Sequence, residues 1–170
     1  MKSLIAFLLV LTFGLSSYAQ DTSTQQTETT YYLIRHAEKD QSDKTNRNPN
    51  LTDEGKARAI RWSTILQHIE FDAIYSTNYN RTQQTAQPIA EKNNLTVLSY
   101  DPRNLYSEDF AEATFGKTVL IVGHSNTTPA FVNAIIGQKL YEDIDERNNG
   151  NLYIVTILDG KISHQVLTIN

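Results

Sequence analysis

Arginine and histidine side chains follow apolar segments of this sequence at the points where strands would end. Arg35 and His36 come directly after four mostly apolar residues, and His124 follows the apolar run TVLIVG at 118–123. Arg81 lies where a helix would begin. Guanidinium groups are permanent bidentate donors that match the geometry of phosphate, and a neutral imidazole nitrogen can attack phosphorus and carry the phosphoryl group covalently. These residue types therefore predict phosphate binding and phosphoryl transfer.

The alternation of segments along the chain predicts the scaffold that positions these residues. Four apolar segments predict strands: residues 31–35, 71–75, 95–100 and 118–123. Four capped or amphipathic segments predict helices: residues 52–69, 79–93, 107–115 and 128–136. Pro88 predicts a kink or break in the second helix. Residues 152–158 and 162–169, joined by Asp159-Gly160, predict a β-hairpin. The fold class is therefore α/β: a three-layer α/β/α sandwich, with a mainly parallel sheet and an antiparallel C-terminal hairpin.

The candidate residues converge because ligands of such sheets bind beyond the carboxyl ends of the strands. Polar side chains follow each of the four predicted parallel strands: Arg35 and His36, then Arg81, then Asp101, Glu108 and Asp109, then His124, Ser125 and Asn126. Two arginines and a protonated histidine would balance the charge of a phosphate monoester and stabilise a transferring phosphoryl group. The helix N-termini near Arg81 and Thr128 add backbone donors.

Four ordered segments resemble the histidine phosphatase superfamily, also called phosphoglycerate mutase-like. Arg35-His36-Ala37-Glu38 resembles the RHG signature, with Ala37 where Gly is commoner. The other segments are Leu51-Thr52-Asp53-Glu54-Gly55 for L-T-x-x-G, Ser76 with Arg81, Thr85 and Ala86 for S-x-x-x-R-x-x-x-T-A, and Gly123-His124-Ser125 for G-H-(S/G). The segments lie in the family's order between residue 31 and about residue 136. The short chain is most similar to the compact phosphatase branch, without a large cap insertion.

The resemblance implies a role for each matching residue. His36 is the nucleophile that becomes phosphohistidine, and Arg35 and Arg81 bind the phosphoryl oxygens. His124 completes the pocket and stabilises the transferring group. Ser125, in the last matching segment, is a candidate for substrate binding, although a plain turn residue explains it nearly as well.

Two further assignments concern residues outside the four matching segments. The family usually has a carboxylate general acid between the second arginine and the second histidine, and Glu108 is the candidate by spacing, with Asp109 and Asp101 as alternatives. Asn126, next to the last matching segment, is a candidate for substrate binding, although a plain turn residue explains it nearly as well.

The first residues predict a secretory signal peptide over 1–19. Lys2 gives a positive start, residues 4–15 are mostly apolar, and Ser17-Tyr18-Ala19 places small residues at a cleavage site. A membrane anchor is the less favoured alternative, because the apolar run is shorter than the roughly 20 residues that a span needs. A polar linker at 20–30 and a catalytic domain at 31–170 follow. We therefore expect an exported protein, periplasmic or extracellular, without stable membrane insertion after signal removal.

Composition limits the classes of chemistry and partner. The chain has 170 residues, a net charge of −4 and no cysteine. An acidic chain with few clustered Lys or Arg residues is a poor partner for nucleic acid or an anionic membrane, and the lack of cysteine excludes disulfides and thiol catalysis. No metal-ligand motif such as HExxH occurs, so we predict no metal and no other cofactor. A phosphorylated small molecule or a phosphoprotein is the expected substrate.

The resulting hypothesis is an exported, metal-independent phosphomonoester hydrolase that acts through a covalent phosphohistidine on His36. Hydrolysis is preferred to mutase chemistry because the bisphosphoglycerate and sugar phosphate pools are cytosolic. A phosphotransferase or mutase on the same fold is one alternative. A catalytically silent module that binds phosphate or another anion is a second alternative, and it predicts affinity without turnover.

Overall fold

The computed structural model describes residues 27–169, which build one mixed sheet covered by helices on both faces. Its strands are β1 (Glu28–Arg35), β2 (Ala73–Ser76), β3 (Val97–Ser99), β4 (Thr118–Gly123), β5 (Asn151–Leu158) and β6 (Lys161–Thr168). Its helices are α1 (Asp53–Ile65), α2 (Asn80–Lys92), α3 (Glu108–Thr114) and α4 (Thr127–Ile136). The predicted signal peptide and linker residues 20–26 lie outside the described residues. Within residues 27–169, no helix is long and apolar enough to cross a membrane.

The sheet has the strand order β3-β2-β4-β1-β5-β6. β1, β4, β2 and β3 are parallel, whereas β5 pairs antiparallel with β1 and forms a hairpin with β6. The register places Arg35 opposite Gly123 and Ser76 opposite Val122, so the parallel strands end together at one edge. The predicted fold class is confirmed, including the antiparallel hairpin.

Alternate residues of β1 supply the two halves of the core. Tyr31 and Leu33 face a cluster that includes Phe131 of α4, and Ile34 faces a second cluster with Trp62 of α1. All five side chains are almost fully buried. Since burying a large apolar side chain contributes about 1.5–3 kcal/mol, the central strand is held from both faces as well as by both neighbouring strands.

Several element boundaries differ from the predicted ones. β1 begins at Glu28, three residues early, because residues 28–30 pair with β5 and Thr30 also pairs with β4. Helix α1 ends at Ile65, before the end of its apolar stripe. Helix α2 continues through Pro88 to Lys92 without a break. Helix α4 begins one residue before the predicted cap Thr128, since the Asn126 side chain caps it.

Helix α1 begins in direct contact with the loop that follows His36. The Thr52 hydroxyl accepts a hydrogen bond from the Gly55 amide at 3.0 Å, and the Thr52 amide donates to the Glu38 carbonyl at 2.9 Å. A methyl group added at Gly55 would overlap the same Glu38 carbonyl oxygen. The threonine and the glycine of this segment therefore serve one purpose, which is close packing of the helix against the loop.

Replacing Gly55→Ala should lower the free energy of unfolding by about 1–3 kcal/mol, the usual cost of overpacking. The physical reason is the overlap with the Glu38 backbone, which no rotamer change relieves. Urea unfolding of both proteins measures the difference. The control is Lys56→Ala, an exposed position one residue further along α1, which should stay within about 0.5 kcal/mol of the parent. A Gly55→Ala protein as stable as the parent would contradict the assigned role.

Candidate active site

His36 is held at the end of β1 with its ring in one fixed state. Its amide donates to the Gly123 carbonyl at 2.9 Å, and its carbonyl accepts from the Asn149 side chain at 2.8 Å. His36 is only 2% exposed, and its Nδ1 atom lies 2.7 Å from the Ala37 carbonyl oxygen. Because a carbonyl can only accept, Nδ1 carries the proton. The lone pair therefore lies on Nε2, the nitrogen that is left to react.

Ala37 connects this segment to helix α2. Its amide donates to the Thr85 hydroxyl oxygen at 2.9 Å, and the same hydroxyl donates to the Arg81 carbonyl at 2.7 Å. Ala37 is fully buried, so its methyl group is accommodated at the position where glycine is commoner in the resembled signature. Thr85 thus links the nucleophile's backbone to the turn of α2 that carries Arg81.

His124 lies beside His36 at the end of β4. The two ring centroids are 5.4 Å apart. The His124 Nδ1 atom lies 3.4 Å from Arg81 Nη2, and its Nε2 atom lies 2.9 Å from the Thr77 hydroxyl oxygen. Since arginine only donates, Nδ1 accepts and Nε2 donates to Thr77. His124 therefore has a defined tautomer too, with Nδ1 turned towards the arginine.

Arg35 is 2% exposed and is held by the loop before β5. Its Nη1 donates to the carbonyls of Asp145 at 2.9 Å and Asn148 at 3.1 Å, and its Nη2 donates to the Glu146 carboxylate at 2.8 Å. Three buried guanidinium nitrogens have no partner in the described part of the chain: Nε of Arg35, and Nε and Nη1 of Arg81. Unpaired buried donors cost free energy, so this arrangement suits an anion with several oxygens.

A cavity of about 330 Å³ lies among these groups. Its lining residues are His36, Lys39, Tyr79, Arg81, Pro102, His124, Ser125, Asn126 and Thr127. The Arg81 guanidinium lies 4.5 Å from the centre of the Tyr79 ring, which orients the cation. Asn126 and Thr127 bring the N-terminus of α4 to the cavity, where the helix dipole favours negative charge.

A larger cavity, of about 580 Å³, lies at the other end of β1 and does not suit a phosphate. Its charged lining residues are Glu112 and Asp159, both acidic. The smaller, cationic cavity is therefore the candidate active site.

The structure brings six of the seven sequence-predicted site residues together. His36, Arg81, His124, Ser125 and Asn126 line the cavity, and Arg35 lies behind it against the 145–148 loop.

The carboxylate candidates lie elsewhere. Glu108 is exposed in the first turn of α3 and does not line the cavity, so its assignment as general acid rests on sequence spacing alone. Asp109 is exposed on the same turn. Asp101 pairs with Arg103 at 2.8 Å, and hydrogen bonds from Arg103 lower the Asp101 pKa to about 2. An acid of that strength is ionised at neutral pH and has no proton to donate.

Sequence reasoning missed Glu146, a carboxylate that contacts two of the predicted site residues, Ser125 and Arg35. Its Oε1 accepts from the Ser125 hydroxyl at 2.7 Å and its Oε2 accepts from Arg35, although its side chain is 67% exposed. Hydrogen bonding by Ser125, followed by the charges of Arg35 and Lys39, lowers the Glu146 pKa. The residue lies in an irregular polar loop, and its one sequence signal is the position of that loop just before a strand.

Burial sets the charge state of both histidines. It lowers the pKa of His36 to about 3, with His124, Arg35 and Arg81 adding smaller effects, while the hydrogen bond to Ala37 opposes the shift. Burial also lowers the pKa of His124 to about 4, with Arg81 as the next cause. Both rings are therefore neutral at pH 7 in the unliganded protein. A neutral His36 with a free Nε2 lone pair is competent for nucleophilic attack.

Residues 31–103 match the profile of the histidine phosphatase superfamily (branch 1). This match confirms the resemblance on which the site residues were assigned. A search of curated proteins finds no match.

Many solved structures share the fold. The protein histidine phosphatase SixA complexed with tungstate has a TM-score of 0.63 at 15% identity, with 82% of this chain and 96% of that chain covered. The alpha-ribazole phosphatase from Shigella flexneri has a TM-score of 0.63 at 18% identity, with coverages of 82% and 96%. The phosphoglycerate mutase from Bacillus anthracis has a TM-score of 0.61 at 16% identity, with coverages of 86% and 94%. Each of these proteins is matched over nearly its whole length.

Inorganic phosphate should raise the melting temperature of the protein, because it supplies acceptors to the unpaired donors of Arg81, which lines the cavity. At 100 times the dissociation constant, a single site adds about 2.7 kcal/mol of stability. The Arg81→Gln protein should lose most of this increase, whereas Arg61→Gln, an exposed position on α1, should keep it. Thermal unfolding in phosphate and in chloride of equal ionic strength measures the effect. An equal phosphate response in Arg81→Gln would argue against the site.

The two histidines should make stability fall as the pH falls. Their native pKa values lie below the ordinary value near 6.5, so the unfolded chain binds more protons between about pH 3 and 6.5. The free energy of unfolding therefore decreases as pH falls through this window. His36→Gln should show a shallower decrease, measured by urea unfolding in phosphate-free buffers. His68→Gln, which replaces an exposed histidine, should retain the parent slope. An unchanged slope in His36→Gln would show that His36 titrates normally.

Proposed function

We propose that this member of the histidine phosphatase superfamily is an exported phosphomonoester hydrolase that acts through a covalent phosphohistidine on His36. The observation that carries the proposal is the state of that ring. His36 is buried, its Nδ1 proton is held by the Ala37 carbonyl, and its Nε2 lone pair is free. The ring lines a cavity with Arg81, whose buried Nε and Nη1 lack partners in the described residues.

The reaction has two displacements at phosphorus. In the first, His36 Nε2 forms a P–N bond while the P–O ester bond breaks, and the alcohol oxygen leaves with the electron pair and takes a proton from water. In the second, water attacks phosphorus, the P–N bond breaks, and inorganic phosphate leaves with His36 restored. Arg35 and Arg81 balance the charge on the phosphoryl oxygens throughout.

His124 responds to the charge of the bound phosphoryl group. A nearby anion favours the imidazolium form and raises a histidine pKa. The proton taken up would lie on Nδ1, because Nε2 already donates to Thr77. A protonated Nδ1 becomes one more donor to the phosphoryl oxygens, so the resting and the liganded site differ by one charge.

The leaving group determines how well the first step proceeds. Among the described residues, no Asp or Glu lines the cavity. Leaving groups that depart without a proton donor, such as phenolates, should therefore react faster than simple alcohols.

The lack of an Asp or Glu among the described residues that line the cavity also favours a second candidate function, a module that binds phosphate without turnover. Phosphate stabilisation without hydrolysis of any phosphomonoester would identify it.

Two further parts of the proposal are export, which rests on the sequence, and independence of metal ions, which rests on the side chains of the site. The positive start at Lys2, the apolar run and the small residues 17 and 19 support export. Within residues 27–169, no three His, Asp or Glu side chains are grouped to hold a metal ion. Both His36 Nδ1 and His124 Nε2 are already hydrogen-bonded. Activity in excess chelator is the direct measure of metal independence.

The chain without residues 1–19 should hydrolyse an aryl phosphate in the presence of excess chelator. His36→Ala should lower kcat/KM by at least about 1,000-fold, because it removes the nucleophile. Acid-labile, alkali-stable labelling by a phosphorylated substrate should appear in the parent and be absent from the variant. His68→Ala, an exposed position, serves as the control and should keep full activity. Turnover retained by His36→Ala would rule out the phosphohistidine mechanism.

A further inference from the structure

We propose that a groove beside the catalytic cavity binds a second anionic group, a carboxylate or phosphate carried by the leaving group of a small phosphomonoester. The inference rests on the proposed function, and it names the class of substrate. The groove has a volume of about 430 Å³ and is bordered by Lys39, Lys44, Arg47 and Arg81. We refer to it as the Lys39–Arg47 groove.

The groove and the catalytic cavity are adjoining compartments. Lys39 and Arg81 line both of them. When the phosphoryl group lies in the cavity, the rest of a substrate that passes Lys39 enters the groove. Volumes of about 430 and 330 Å³ suit a small organic molecule. The part of the substrate in the groove is then the leaving group, because the phosphoryl group is held by the arginines of the cavity.

The charges of the groove favour an anion. Within residues 27–169, none of Lys39, Lys44 and Arg47 has a carboxylate within ion-pair distance. Asp40 and Asp43 also border the groove. However, Asp40 Oδ1 accepts the Ser42 amide at 2.9 Å, and Asp43 Oδ1 accepts the Thr45 amide at 2.8 Å and its hydroxyl at 2.6 Å. Four cations thus face two carboxylates that are engaged by their own loop, on a chain whose net charge is −4.

The loop that forms the groove is attached to the scaffold at both ends. The Asp40 amide donates to the Asn50 carbonyl at 2.8 Å, and Lys39 forms a β-bridge with Leu51. Asn48 Oδ1 accepts the Asn80 amide at 2.8 Å. The last bond joins the loop to the first turn of α2, one residue before Arg81. The groove is therefore positioned relative to the phosphate-binding arginine by direct hydrogen bonds.

Matched substrates test the groove. The probes are aryl phosphates that carry a carboxylate on tethers of increasing length, each paired with the neutral carboxamide. The parent protein should prefer the carboxylate at one or more tether lengths by about 10-fold or more in kcat/KM, mainly through KM. In Lys44→Gln/Arg47→Gln the ratio of carboxylate to carboxamide should fall towards one. Lys56→Gln/Arg61→Gln, exposed positions on α1, should keep the parent ratio and serve as the control.

Two results would overturn the inference: equal kcat/KM for carboxylate and carboxamide at every tether length, or a preference that survives in Lys44→Gln/Arg47→Gln. Absence of turnover for every probe would instead be a failure of the proposed hydrolysis. In that case, calorimetry with non-hydrolysable phosphonates bearing the same carboxylate and carboxamide groups decides the groove separately. Tighter binding of the carboxylate phosphonate, lost in the double variant, supports it, and equal binding overturns it.

Discussion

The hydrogen bond from His36 Nδ1 to the Ala37 carbonyl is the interaction on which the site depends. It fixes both the orientation of the ring and the tautomer, because a carbonyl cannot donate. The backbone around it is fixed in turn by Gly123 on β4, by Asn149 before β5 and by Thr85 on α2. The Ala37 carbonyl and these three contacts thus hold the imidazole in place and leave its Nε2 free. Rings held in this way need little reorganisation when they react.

The two arginines differ from His36, because some of their buried donors have no partner in the described residues until an anion binds. Burying a guanidinium is unfavourable unless its donors are paired. The carbonyls of Asp145 and Asn148 and the carboxylate of Glu146 satisfy Arg35 in part, whereas Arg81 relies on Tyr79 and a long contact to His124. The elements β1, β4 and α2 hold these groups at the carboxyl edge of the sheet. The free energy gained by packing the core thus offsets the cost of leaving arginine donors unpaired, and those donors favour the binding of an anion.

The parts of the structure that follow from local pattern were predictable from the sequence. The apolar run of β4 and the Asp159-Gly160 turn specify their elements without help from distant residues, and the ordered motifs located His36, Arg81 and His124. Contacts across long sequence separations were not predictable. Glu146 reaches Arg35 over 111 residues and leaves no periodicity behind. Residues 28–30 are polar, yet pairing with β4 and β5 makes them strand. The spacing that selected Glu108 carried no information on whether α3 reaches the cavity, and no residue of α3 lines it.

The position of β5 beside β1 has a consequence for the order of folding. β1 is the first strand of the described chain, and its antiparallel partner β5 follows more than 110 residues later, with Glu28 opposite Leu158. Closing so long a loop is entropically costly and slow. Until β5 docks, β1 keeps an unpaired edge, and Arg35 lacks the loop that holds it. The loop that holds Arg35 lies 110 residues further along the chain, so the surroundings of Arg35 and His36 are completed only after that loop has been synthesised.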